Sequence, residues 1–160
     1  MRKVLIVSDT HGRHGNLDAA IEREGKIDLL LHLGDIEGEE HYIEEIAQWP
    51  YHMVAGNNDW RSPLPNEKEI RIGKYKVWMT HGHNYMVSIN TGRLREAAKS
   101  RGVDIVMFGH THKPYIDLES SPMVISPGSI AYPRQEGRRA SYMVLEIGAD
   151  GQANFELKYL

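Results

Sequence analysis

Val4-Leu5-Ile6-Val7-Ser8-Asp9-Thr10-His11, read with Asp28-Leu29-Leu30-Leu31-His32-Leu33-Gly34-Asp35, decides the fold. In each stretch a short apolar run stops at an aspartate, and runs of this length without polar alternation read as strands covered on both faces. The segment between them has helical spacing. Leu17, Ala20 and Ile21 share one face, Asn16 is placed to cap the first turn, and Gly25 can end the last turn in the left-handed conformation. Strand, helix and strand in that order predict a right-handed βαβ unit with parallel strands.

Outward from this unit the pattern repeats and then changes. Ile43, Ile46 and Ala47 align on a helix predicted over Glu39 to Trp49, and a short strand, Tyr51 to Ala55, stops at Gly56-Asn57-Asn58-Asp59. Ser62-Pro63-Leu64-Pro65 makes a loop. Glu67 to Ile72 and Lys76 to Thr80 flank Gly73-Lys74-Tyr75 as an antiparallel hairpin. A helix from Ser88 to Arg101 closes at Gly102, and a strand from Asp104 to Phe108 stops at Gly109-His110-Thr111-His112. The remainder holds short strands near Tyr115 to Leu118, Met123 to Ser126, Ser141 to Ile147 and Asn154 to Lys158. Alternating elements followed by strands predict an α/β protein (α+β by some schemes), a four-layer αββα sandwich with two mixed β-sheets in one domain over residues 1–160.

Composition removes several classes of chemistry. The 160 residues contain no cysteine, which excludes thiolate metal sites, iron–sulfur clusters, thiol nucleophiles and disulfide scaffolds, and points to a reducing cytoplasm. With 19 Lys and Arg against 22 Asp and Glu, the net charge of −3 provides no global attraction to nucleic acid or to an anionic membrane. The apolar run at Val4 to Val7 is shorter than a secretion signal's core of about seven residues, and no run approaches the roughly 18 residues of a membrane span. A soluble cytoplasmic protein is expected.

Five of the strand-like runs end in glycine and coordinating residues: Asp9-Thr10-His11, Gly34-Asp35, Gly56-Asn57-Asn58-Asp59, His81-Gly82-His83 and Gly109-His110-Thr111-His112. In sheets with parallel strands, ligands bind beyond the carboxyl ends, so clusters distant in sequence can gather at one rim. The donors are imidazole, carboxylate and amide oxygen, which suit Mn, Fe, Co, Ni or Zn better than calcium. Asp9, His11, Asp35, Asn57, His81, His110 and His112 make seven donors, more than one ion takes. Two divalent ions sharing a carboxylate would use them all, and the resulting net positive charge would match hydroxide and phosphate.

These motifs, in this order, resemble the calcineurin-like metallophosphoesterases, and within them the small YfcE-type phosphodiesterases of bacteria and archaea. The resemblance extends from Met1 to about Ile147. It implies a binuclear site, with Asp9, His11 and His112 on one ion, Asp35 bridging, and Asn57, His81 and His110 on the other. It further implies a bridging hydroxide that attacks phosphorus, Mn as the foremost metal, and a loop at Pro127-Gly128-Ser129 beside the site. Many superfamily members have Gly-Asn-His where this chain has Gly56-Asn57-Asn58. An amide cannot surrender a proton to a leaving oxygen, so Asn58 is expected to bind substrate, and His83 is the nearest replacement acid in sequence.

The other polar residues have plainer readings. His32 lies within an apolar run and is expected to be a hydrogen-bonded core residue, and His14, His41 and His52 to be surface or loop residues. Arg134, Arg138 and Arg139 form the local basic cluster, read first as the solvated charge of a turn; of the three, Arg134 is closest in sequence to the Pro-Gly-Ser loop and is the candidate for substrate contact. Trp78 reads as core and Trp60 as a wall of the site. The expected partner is a small phosphate ester, with homodimer or higher homo-oligomer contacts available near Tyr42, Tyr51 or Tyr115. Two other functions fit the same fold: a non-catalytic scaffold like the small subunit of the retromer coat, which lacks part of the coordinating set, and a nuclease, for which neither an added binding domain nor positive charge is present. Coordinating imidazoles must be neutral, so acid is expected to expel the ions.

Overall fold

A computed structural model describes residues 1–160. One five-stranded sheet has the order β10-β9-β1-β2-β3, built from β1 (Arg2–Val7), β2 (Leu29–His32), β3 (Tyr51–Met53), β9 (Ser141–Ile147) and β10 (Ala153–Tyr159). The other has the order β4-β5-β6-β8-β7, from β4 (Glu67–Ile72), β5 (Tyr75–Thr80), β6 (Ile105–Met107), β7 (Pro114–Asp117) and β8 (Met123–Pro127). Strands β1, β2 and β3 run parallel, as do β5, β6 and β8, while β4, β7, β9 and β10 are added antiparallel. Both sheets are therefore mixed.

Strand periodicity of two distributes the apolar residues between layers. Val4 and Ile6 of β1 and Leu29 and Leu31 of β2 meet Val77, Met79, Ile105 and Met107 of the second sheet in the central core. The alternate residues Leu5, Val7 and Leu30 face outward and pack on Leu17 and Ala20 of α1 (Gly15–Glu24) and Ile43 of α2 (Glu40–Ile46). Trp78, Val106 and Val124 do the same for Leu94 and Ala98 of α3 (Gly92–Arg101). Helix, sheet, sheet, helix is the predicted αββα sandwich, and Trp78 and His32 are both core residues. His32 accepts the Gly34 amide at 3.1 Å and meets the Thr10 hydroxyl at 3.0 Å, and burial lowers its pKa to about 4. No helix is long and apolar enough to cross a membrane.

Several strand ends differ from the sequence reading by a residue or two, and three helix ends differ as well. Asn16 does not cap α1: the helix starts one residue before it, and its amide instead donates to the Ile130 carbonyl at 2.8 Å, a contact between segments distant in sequence. Helix α2 ends at Ile46 because Ala47 turns to extended backbone ahead of Pro50. Helix α3 begins at Gly92, not near Ser88, because the Asn90 side chain accepts the Gly92 amide at 2.9 Å and holds the preceding residues in a turn.

One buried charge cluster joins the end of α1 to β1, β9 and β10. The Glu24 carboxylate, 2% exposed, receives Lys3 Nζ at 2.7 Å, Lys158 Nζ at 3.0 Å and the Tyr142 hydroxyl at 2.8 Å. Burial alone would raise its pKa, but the two ammonium groups and the hydroxyl outweigh it and hold the value down to about 2. A depressed carboxylate pKa stabilises the fold at pH above its unfolded value and loses that stabilisation as pH falls toward the folded one. Between about pH 4.5 and 2, Glu24 is expected to account for roughly 3 kcal/mol of lost stability. Denaturant titrations of the wild type and Glu24→Gln across that range check this; equal pH slopes in the two proteins would refute it.

Candidate metal centre

The carboxyl ends of the parallel strands all emerge at one rim. Asp9 follows β1, Asp35 follows β2, Asn57 follows β3, His81 follows β5 and His110 follows β6. The loops are tied together by backbone: the Asp9 amide donates to Gly34 O at 3.0 Å, the His11 amide to Asp35 O at 2.9 Å, and the Gly109 amide to His81 O at 3.0 Å. This crossing demands room. A Cβ on Gly34 would stand 2.7 Å from both the Gly56 nitrogen and His81 Nδ1, and one on Gly56 would collide with the Asp35 carboxylate.

All seven predicted donors converge. Asp9 Oδ1 lies 3.2 Å from His112 Nε2, 3.7 Å from His11 Nε2 and 3.8 Å from His81 Nε2, and Asp35 Oδ2 lies 3.7 Å from His11 Nε2 and 3.4 Å from His81 Nε2. Asn57 Oδ1 lies 3.1 Å from His81 Nε2 and 2.9 Å from His110 Nδ1. Donor atoms of Asp9, His11, Asp35 and His112 fall within 4.8 Å of one another, and the Asn57, His81 and His110 group adjoins them across the two carboxylates. Five of the seven residues have left-handed backbone: Asp9 at φ 57°, His11 at 47°, Asp35 at 57°, His110 at 72° and His112 at 57°. Such conformations cost about 1–3 kcal/mol each in non-glycine residues and gather at functional sites.

The hydrogen bonds behind the donors dictate which atoms face inward. His81 Nδ1 meets the Leu33 carbonyl at 2.7 Å, His112 Nδ1 meets the Tyr132 carbonyl at 2.7 Å, and His11 Nδ1 meets Glu37 Oε1 at 2.7 Å. These oxygens only accept, so each Nδ1 carries a proton, and in the neutral ring each Nε2 presents a lone pair. Yet His11 Nε2 and His112 Nε2 are 3.1 Å apart, and His81 Nε2 faces only oxygens. Asp9 Oδ1 is buried with no hydrogen-bond donor. Acceptors turned toward acceptors in a buried space require positive charge between them, and the donor set therefore fits divalent cations.

The ionisation behaviour of the chain by itself expresses the same demand. The Asp9 carboxylate holds His11 protonated up to about pH 9 against the effect of burial, with Glu37 adding to it. Burial opposes ionisation of Asp9, but the nearby imidazoles of His11, His112 and His81, when charged, keep it well below the ordinary carboxylate range. Burial and the charge of His81 push the His110 and His83 imidazoles down.

His83, half-buried at the start of a short 3-10 helix, places its ring 5.5 Å from His81 and 6.1 Å from His110. Asn58 is exposed, and both its backbone amide (2.9 Å) and its side-chain amide (3.0 Å) donate to Asp35. Arg134 is exposed on the cleft that opens from His11 and His112, and its amide donates to His112 O at 2.9 Å. Trp60 is 75% exposed and borders the cleft beside Asn58. Ser129, in the Pro-Gly-Ser loop, donates its hydroxyl to Asp9 O at 2.9 Å.

Sequence reasoning missed three supporting residues. Asp59 is buried and accepts the amides of Ile36 (3.0 Å), Glu37 (2.7 Å) and Gly56 (2.8 Å), fixing both loops that carry Asp35 and Asn57. Glu37 orients His11, and Ser8 donates to Asp9 Oδ2 at 2.6 Å. The signal for Asp59 was its place in the Gly-Asn-Asn-Asp cluster; Glu37 and Ser8 carried none.

The profile of the calcineurin-like phosphoesterase superfamily domain matches residues 2–150. The chain belongs to this superfamily. Among its calcineurin-like relatives, it is 34% identical over 148 residues to YsnB of Bacillus subtilis, described as a probable metallophosphoesterase, covering 92% of this chain and 85% of that protein. It is 30% identical over 144 residues to a phosphodiesterase of Methanocaldococcus jannaschii, covering 79% and 82% respectively. Among solved calcineurin-like structures, a predicted phosphoesterase from Streptococcus pneumoniae superposes with a TM-score of 0.79 at 26% identity over 99% of this chain and 98% of that one. Vps29 of Entamoeba histolytica complexed with Zn2+ superposes with a TM-score of 0.75 at 26% identity, covering 98% of each chain.

Proposed function

We propose that this calcineurin-like protein is a phosphodiesterase that hydrolyses small phosphate esters with two divalent cations. The observation that carries this reading is the meeting of seven donors around Asp9 Oδ1 and Asp35 Oδ2, lone pairs inward, in two groups that share the carboxylates. Asp9, His11 and His112 would hold one ion, Asn57, His81 and His110 the other, with Asp35 between them. Mn is the first candidate; Fe, Zn, Ni and Co suit the same donors. When bound, the cations supply Lewis acidity toward the phosphoryl oxygens and a hydroxide nucleophile at neutral pH.

The chain's own residues do the rest. Leu33 O, Tyr132 O and Glu37 keep three imidazoles aimed inward, so little reorganisation is needed at the moment of reaction. Asn58 has one amide hydrogen beyond the one given to Asp35, which it offers to the reacting phosphate, and Arg134 contacts the substrate from the adjoining cleft. As the new P–O bond forms, the ester P–O bond breaks and its electron pair leaves on the ester oxygen, which takes up a proton. We assign that proton to His83, whose ring lies 5.5 Å from His81 and 6.1 Å from His110; its lowered pKa makes the protonated ring a minor but strong acid.

Hydrolysis of bis(p-nitrophenyl) phosphate by protein reconstituted with Mn tests the reading. Stoichiometric metal without turnover would overturn it in favour of a binding scaffold. His83→Gln is expected to lower turnover of esters with alkyl leaving groups by about 10²-fold and of p-nitrophenyl esters by only a few fold, because a good leaving group needs no proton. Equal losses on both would remove His83 from the acid role.

A further inference from the structure

The rim of the candidate centre has two chemically different sides. On one, beyond Asn58, stand Glu37, Glu40 and Asp59, with Arg61 as the one cation. On the other, a cleft of about 780 Å³ runs from His11 and His112 past Tyr132 and is lined by Lys113, Arg134 and Arg138. Two arginines near α3 are neutralised: Arg95 pairs with Asp117 at 2.7 Å and Arg101 with Glu67 at 2.6 Å. Lys113, Arg134 and Arg138 have no carboxylate partner, and the one acid in their cleft, Glu37, is engaged by His11. The third arginine of the basic cluster is differently placed, since Arg139 stacks on Tyr159 at 5.0 Å and does not line the cleft.

Two of the three cations are tied through the backbone to the centre. Lys113 directly follows His112, and the Arg134 amide donates to His112 O at 2.9 Å, so both are pinned to a donor residue. Arg138 sits in a turn closed by its amide on Gln135 O at 3.0 Å, with left-handed backbone at φ 44°. Lys113 and Arg134 also border a second cleft, of about 570 Å³, where Val87, Ile89, Phe108 and Tyr115 offer an apolar wall.

We propose that this cleft is a second anion subsite: the preferred substrate is a small phosphodiester carrying, besides the phosphate under attack, a second phosphate held by Lys113, Arg134 and Arg138, with its apolar or aromatic remainder directed toward Ile89 and Tyr115. The proposal rests on the phosphoesterase reading for the position of the reacting phosphate. Unpaired guanidinium groups beside a site already matched to one phosphate add charge-assisted, forked hydrogen bonds to a second. The opposite side favours this direction, because a second phosphate placed beyond Asn58 would meet Glu37 and Glu40 with Arg61 as the single cation.

The test uses two p-nitrophenyl esters of thymidylate, one with and one without a second phosphate on the sugar's remaining hydroxyl. Turnover by Mn-loaded protein is compared at physiological salt, together with calorimetric binding of thymidine bisphosphate against thymidine monophosphate. The bisphosphorylated compounds are expected to be favoured by about tenfold or more in kcat/KM and in affinity. The triple variant Lys113→Gln, Arg134→Gln, Arg138→Gln is expected to bring both ratios near one, whereas Arg139→Gln keeps them. Turnover of both esters without preference in the wild type, or a preference that survives the triple variant, overturns the subsite and leaves the phosphodiesterase reading intact. Turnover of neither ester overturns the phosphodiesterase reading, and the binding ratio then still decides whether the cleft selects a second phosphate.

Discussion

Asp9→Asn is expected to abolish stoichiometric Mn binding and to lower phosphodiester turnover by about 10³-fold or more, roughly 4 kcal/mol of transition-state stabilisation. No other oxygen in the chain touches the inward nitrogens of three imidazoles: Asp9 Oδ1 stands 3.2 to 3.8 Å from His112, His11 and His81. That oxygen is also buried without a hydrogen-bond donor, the Ser8 hydroxyl and the His110 amide serving only Oδ2. Asparagine keeps the volume and removes the charge, which isolates the electrostatic contribution from packing. Metal content after dialysis and turnover with added Mn are the measurements, with circular dichroism to establish that the variant is folded. Full occupancy with undiminished turnover would remove Asp9 from the centre.

Asp59→Ala is expected to act through the scaffold of the same site. Its carboxylate satisfies the amides of Ile36, Glu37 and Gly56, and the alanine variant leaves these donors without partners in a largely buried place. Hydrogen bonds to a charged group contribute about 1.5–3 kcal/mol each and do not add fully, so a loss of roughly 4 kcal/mol is expected, a large part of a typical domain's stability. Displacing the loops that carry Asp35 and Asn57 should weaken metal affinity about 10- to 100-fold, the usual effect of removing a supporting partner. Denaturant unfolding without metal and metal titration of the folded variant separate the two effects. A variant with wild-type stability and unchanged affinity would refute the positioning role.

The gathering of these side chains at one rim was legible because a chemical pattern recurred. Apolar runs ending in Asp, Asn or His beside glycine mark parallel strands whose carboxyl ends face one rim, and periodicity alone is enough to place Leu5 and Val7 opposite Val4 and Ile6. Element boundaries were less legible where a side chain chose a distant partner over a local one. Asn16 is a good helix cap in isolation, but the Ile130 carbonyl, 114 residues away, claims its amide. Asn90 shortened α3 by an Asx turn that competes with helix on nearly equal terms.

Local sequence determined the strands, the layer each apolar residue faces and the chemical types gathered at the rim, because these follow from side-chain alternation and from where apolar runs stop. Tertiary structure alone decided which imidazole nitrogen faces inward, that Asp59 rather than a neighbour supports two loops, and that Arg134 and Arg138 turn to the cleft while Arg139 stacks on Tyr159. Those outcomes depend on partners brought together from distant parts of the chain, and a hydrogen bond or an unpaired charge has no signature in the residues immediately beside it.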